Sequence, residues 1–257
     1  MHYRWHYSLS AHYAGQLLAE ELVVGSLLPL AFHRRLIIQR QRCGYTRGDG
    51  IAPKSVEGVE AIYLDTLKQL QAILHKQDFI LSPRPSLVDI GFSGPMFRHC
   101  GLNPVPAEIM RSRAPAVYAW LGRLWGYRES GDTQPCASNA NEPVPAAWRA
   151  MLESVGESYL HYLNANVDAV AGGKSVFDAT VDGVSYHRAR SSKYRVWCLR
   201  RLREAYADLP HGEQAAARVI MENCGIWEPL WEKLELPIDD ATCSQLPFYV
   251  DTKMIDV

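Results

Sequence analysis

No stretch of this 257-residue chain runs apolar for the roughly 20 residues that a membrane-spanning helix needs. The most apolar one, LLAEELVVGSLLPLAF, is broken by Glu20, Glu21 and Pro29, which excludes a spanning segment. A secretory leader is excluded too, because Arg4 and two histidines interrupt the first residues and no apolar core with a small-residue cleavage site follows. The six cysteines, Cys43, Cys100, Cys136, Cys198, Cys224 and Cys243, contain no C-x-x-C pair and no repeating interval, so they are read as reduced thiols in a cytoplasmic protein. Charge of one sign is not in excess: 27 basic residues stand against 28 acidic ones. That balance argues against a nucleic-acid footprint or a membrane-surface protein. Internal repeats and low-complexity tracts are also missing.

What the chain does have is helical periodicity. In SVEGVEAIYLDTLKQLQAIL the residues Val59, Ile62, Tyr63, Leu67, Leu70 and Leu74 form one apolar stripe at intervals of three and four. Gly- and Pro-rich loops flank it, RGDGIAPKS before and KQDFILSPRPS after. Ser86 then stands three residues ahead of Asp89, the spacing of a capping box whose side chains satisfy two orphan donors at a helix start. Gly91 and Gly94 are expected to admit a neighbouring helix, and Pro95 to bend this one. Pro115 suits a first helical turn, with Val117, Trp120, Leu121, Leu124 and Trp125 on one apolar side.

Residues 128–147 have no periodicity and read as a linker. Beyond it, Trp148, Leu152, Val155, Tyr159 and Tyr162 mark a helix, and a short hairpin is expected near 177–187, turning at Asp182-Gly183. Cys198, Leu202, Ala205 and Leu209 mark the face of a further helix, and Gly225 closes the last one. Trp227, Trp231 and Phe248 should pack the tail on the body. The expected fold class is all-α: a helical bundle over 1–127, the linker, and a helical extension over 148–257 carrying the small β-hairpin.

The opening MHYRWHY puts Met1 with Trp5, Tyr3 with Tyr7 and His2 with His6 on shared helical faces, and its rings need partners on more than one side. Ser86, Asp89, Pro115, Val117 and Trp120 give the pattern S-x-x-D followed by P-x-V-x-x-W. Residues 1–127 thereby resemble the C-terminal helical domain of cytosolic glutathione S-transferases. In that family S/T-x-x-D caps a central buried helix, and the aromatic helix lies against an N-terminal thioredoxin-like domain.

The resemblance implies that this chain lacks the glutathione-binding domain and contributes the apolar, electrophile-holding half. Tyr3, His6 and Tyr7 would then wall the pocket, Ser86 and Asp89 would be structural, and no residue is catalytic. Glutathione is the family's co-substrate, and no cofactor is expected on this chain alone. A thioredoxin-like domain or a second copy is the implied partner, and the chain by itself is expected neither to be retained on immobilised glutathione nor to conjugate chlorodinitrobenzene. The alternative is a non-catalytic helical protein–protein interaction module.

Other residues suggest chemistry less strongly. His2 and His6 have the i, i+4 spacing of metal ligands but no third ligand, so packing is preferred and no metal is expected. The arginines of HRRLIIQRQR read as a solvated helix face rather than an RNA contact. Cys100 and Cys198 read as packed thiols rather than nucleophiles.

Overall fold

A computed structural model describes residues 2–23, 25–128, 144–239 and 241, which are mostly helical with one two-stranded antiparallel sheet. The chain divides into two units, Met1–Met151 and Leu152–Val257. The boundary lies a few residues beyond the expected linker, of which 129–143 fall outside the described residues. Among the described residues no helix is long and apolar enough to cross a membrane.

The first unit begins with α1 (His2–His6), α2 (Ser8–Leu22) and α3 (Leu30–Arg40). α2 and α3 pack closely because α2 presents small residues: a Cβ placed on Gly15 would lie 2.8 Å from Ile38 Cγ1. A π-helical turn, Gln41–Thr46, continues from α3. Next comes α4 (Val56–Leu74), matching the periodic stripe. Its lower part, Tyr63, Leu67, Leu70 and Leu74, is buried, but Val59 is half-buried and Ile62 exposed. Those two line a cavity rather than the core.

Helix α5 (Leu87–Pro95) starts at the Ser86–Asp89 capping box and ends at Pro95, where a second π-helical turn, Met96–Gly101, takes over. Asp89 is the one buried residue of α5. Leu87 and Ile90 are exposed, and a Cβ on Gly91 or Gly94 would meet nothing within 4 Å. This corrects the expectation of a central buried helix with a close neighbour: only the side bearing Val88, Asp89 and Phe92 turns inward. Helices α6 (Pro104–Arg113) and α7 (Pro115–Trp125) complete the core, with Met110, Val117 and Trp120 fully buried against Leu67 and Leu70 of α4. Trp125, expected on the buried side, is exposed and stacks on Phe97.

Helix α8 (Ala146–Ser154) spans the unit boundary, with Met151 in the first core. The π-helical turn Val155–Tyr159 and α9 (Leu160–Ala171) follow in the second unit. The π turn inserts extra backbone into the helical repeat and so rotates the buried face. Val155 and Tyr159, expected inside, are therefore exposed, and Leu160, Leu163 and Val167 are buried in their place. Strands β1 (Val176–Val181) and β2 (Val184–Arg190) form the expected hairpin. Asp182 and Gly183 at its tip both have positive φ, 51° and 70°, as a tight two-residue turn of this twist requires.

Helices α10 (Lys193–Ala207), α11 (His211–Asn223) and α12 (Trp227–Trp231) close the second unit. α10 buries Val196 and Leu199 rather than the face running through Leu202 and Ala205, which are exposed. α11 is closed at Gly225, φ +67°, with Ile226 N–H donating to Met221 O at 2.8 Å. Trp227 and Trp231 pack on Tyr206 as expected, whereas Phe248 lies outside the described residues.

Candidate functional site

α1 is too short to be stable alone, and its end is held from elsewhere: Arg42 donates from Nε to Trp5 O at 2.7 Å and from Nη2 to His6 O at 3.3 Å. A cation at the C-terminal carbonyls of a helix is favourable. Arg34 donates to Gln16 Oε1 at 2.9 Å. These contacts account structurally for two arginines of the basic run.

Fixed in this way, α1 stacks its rings against α4. Tyr3 meets Tyr63 at 4.8 Å between centroids and Tyr7 at 5.8 Å, and His2 stacks on His6 at 4.6 Å. Glu60 of α4 ties the cluster together, its Oε1 accepting from the Tyr7 hydroxyl at 2.7 Å and lying 3.1 Å from His2 Nε2. Burial pushes the Glu60 carboxyl up, but the hydrogen bonds from Tyr7 and His2 outweigh that and leave it below the usual carboxylate range. His2 is lowered, chiefly by burial.

Beside this cluster lies a cavity of about 370 Å³ bounded by His2, Tyr3, Tyr63, Met96, His99 and Cys100, with Val59 and Ile62 at one side. Of the three residues expected to wall a pocket, Tyr3 lines this one. His6 and Tyr7 instead back the rings of His2 and Tyr3. Sequence reading missed Tyr63, Met96, His99 and Cys100. For Val59 and Ile62 the signal was the end of the α4 stripe, which is apolar yet not buried in the core, whereas Tyr63 is a core residue whose ring also faces the cavity.

The wall is chemically quiet near neutral pH. Burial raises the Tyr3 and Tyr63 hydroxyls, and the Tyr63 hydroxyl donates to Pro106 O at 3.1 Å. Burial also raises the Cys100 thiol, which keeps it protonated and unreactive. His99 is pushed down to about 4 by burial, with Arg4 and Arg98 nearby, and its buried Nδ1 has no hydrogen-bond partner among the described residues. Aromatic faces and the Met96 and Cys100 sulfurs favour an apolar, aromatic occupant. Neither the Cys100 thiol nor the Tyr3 and Tyr63 hydroxyls are activated toward it, since burial raises all three.

The Ser86–Asp89 pair lies elsewhere in the unit and is structural, but its reach exceeds a local cap. Asp89 is fully buried and accepts four hydrogen bonds. Oδ1 takes Ile80 N–H at 2.8 Å and Trp120 Nε1–H at 2.9 Å, while Oδ2 takes Ser86 N–H at 2.8 Å and the Ser86 hydroxyl at 2.6 Å. One carboxylate thus joins the loop before α5, the start of α5 and the middle of α7.

Among the described residues no group of three or more His, Cys, Asp or Glu side chains is placed to hold a metal ion. The described cysteines Cys43, Cys100 and Cys198 are free thiols, Cys224 is buried in the second core, and Cys136 and Cys243 lie outside the described residues. Burial raises the Cys198 thiol as well. Comparison with protein-family models, with curated proteins and with solved structures finds no match to this chain.

Proposed function

We propose that the first unit holds a small apolar, aromatic ligand in the cavity beneath α1, as the electrophile-holding half of a glutathione-transferase-like protein. The observation that carries this reading is the cavity itself, about 370 Å³ and walled by the Tyr3 and Tyr63 rings with the Met96 and Cys100 sulfurs. The S-x-x-D and P-x-V-x-x-W residues support it further, because Asp89 and Trp120 from the two motifs bond to each other in the core. The sole sheet among the described residues is the β1–β2 hairpin, so no thioredoxin-like βαβ unit is present in them. Activation of glutathione's thiol accordingly falls to a thioredoxin-like domain, and the chain alone binds an aryl compound without conjugating it.

A neutral aryl dye tests the reading. N-phenyl-1-naphthylamine should give saturable fluorescence enhancement with the full chain, and chlorodinitrobenzene should displace it. Val59→Trp, which places an indole at the half-open side of the cavity, should weaken dye binding by about tenfold or more, a loss of at least ~1.4 kcal/mol, with circular dichroism unchanged. Absence of saturable enhancement, or undiminished binding by the folded variant, refutes it.

A further inference from the structure

The β1–β2 ladder of the second unit is irregular at one point. Phe177 pairs with Ala189 and Ala179 with Tyr186, so Asp178 alone faces both His187 and Arg188. This is a β-bulge, a feature that re-aims side chains and recurs beside functional sites. Arg188 sits in it with φ +52°, a left-handed conformation that glycine adopts freely and an arginine does not. Asp178 holds the distortion in place: its Oδ1 accepts from Arg188 N–H at 2.6 Å and lies 3.0 Å from His187 Nδ1. Since a carboxylate only accepts, that contact puts the ring proton on Nδ1 and leaves Nε2 as the uncommitted nitrogen.

The bulge faces a groove of about 500 Å³ between the hairpin and α9, lined also by Val176, Phe177 and Lys174. Its acidic members are committed, Asp178 to the bulge and Asp168 to Lys233 Nζ at 2.9 Å. Its cationic members are not. Neither Lys174 Nζ nor the Arg188 guanidinium has a hydrogen-bond or ion-pair partner among the described residues, and both side chains are exposed. The chain thus carries a strained arginine where glycine would relieve the strain, and this arginine lines a groove together with Val176, Phe177 and a second cation, Lys174, that has no partner among the described residues.

From this we infer that the groove is a binding site for a small ligand with an oxyanion head, a phosphate monoester or a carboxylate, on an apolar body. Arg188 and Lys174 take the head, with the guanidinium fork and the ammonium as charge-assisted donors. His187 borders the same space, and Val176 and Phe177 receive the body.

The test uses the full chain labelled with ¹⁵N and three probes: phenyl phosphate, benzoate and neutral phenol. Phenyl phosphate or benzoate should shift the amide resonances of Lys174, Asp178, His187 and Arg188 saturably, the tighter of the two identifying the head group, and phenol should not. Lys174→Ala and Arg188→Gly should each weaken that binding by about tenfold or more. Because glycine accepts the backbone conformation, Arg188→Gly should leave Tm unchanged or raised, so that loss of binding cannot be ascribed to loss of the fold. Shifts produced equally by phenol, absence of saturable shifts with both acids, or undiminished binding in both variants would overturn the assignment.

Discussion

At Asp89 a single side chain accepts hydrogen bonds from four donors while cut off from water, and two of those donors come from outside its own capping box. Asp89→Asn keeps the shape but turns one acceptor into a donor, which must then face either the two Ser86 donors or the pair from Ile80 and Trp120. The expected cost is about 2–4 kcal/mol in urea unfolding, against ~1 kcal/mol for Trp120→Phe, which removes a donor and leaves Asp89 its three others. Equal stability of Asp89→Asn and the parent would contradict this. His99 sets a pH dependence. Its folded value of about 4 lies below the ordinary 6.5, so the unfolded chain takes up the proton first as pH falls. The stability that neutral His99 contributes is therefore complete above about pH 6.5 and lost progressively towards pH 4. His99→Gln should flatten the fall in the urea midpoint between pH 7 and pH 5; an unchanged slope would refute this.

The π-helical turns decide which element faces are buried. At Val155–Tyr159 the turn brings Gly156 against the backbone of the α11 terminus, where a Cβ would lie 2.6 Å from Gly225 O and 2.7 Å from Gly225 C. Backbone cannot move aside as a flexible side chain does, so Gly156→Ala should destabilise the second unit by about 1–3 kcal/mol. Gly122 on the exposed side of α7 is the control. Nothing lies within 4 Å of a Cβ there, and Gly122→Ala should stabilise by about 0.5–1 kcal/mol. Thermal unfolding of the two variants should therefore shift in opposite directions, and a Gly156→Ala protein as stable as the parent would remove the close approach from the account.

Across the whole molecule, what was legible in the sequence was what local chemistry dictates. The α4 stripe, the Ser86–Asp89 start of α5, Pro115 at the head of α7, the Asp182-Gly183 turn and the Gly225 stop all lie where their residue types require. Burial of α5 and the inner faces of α9 and α10 were not legible, since a π turn shifts the register without a sequence signature and neighbours remote in the chain choose which face is covered. The cavity was legible only in part: Tyr3 of α1 reads as a pocket wall, and Val59 and Ile62 of α4 left a trace as apolar positions outside the core, but Met96, His99 and Cys100 of the turn at Met96–Gly101 left none, because chain-remote elements bring them there. Trp120 was read as packing, yet its indole N–H meets a carboxylate 31 residues earlier in the chain.

Occupation of that cavity is the central claim, and the Met96 methyl group reports it directly. With ¹³C-methyl-methionine in the full chain and N-phenyl-1-naphthylamine at saturation, we expect nuclear Overhauser contacts from the dye protons to the Met96 methyl and the Tyr63 ring. A saturated complex whose contacts all lie elsewhere, with the Met96 resonance unmoved, would contradict the account.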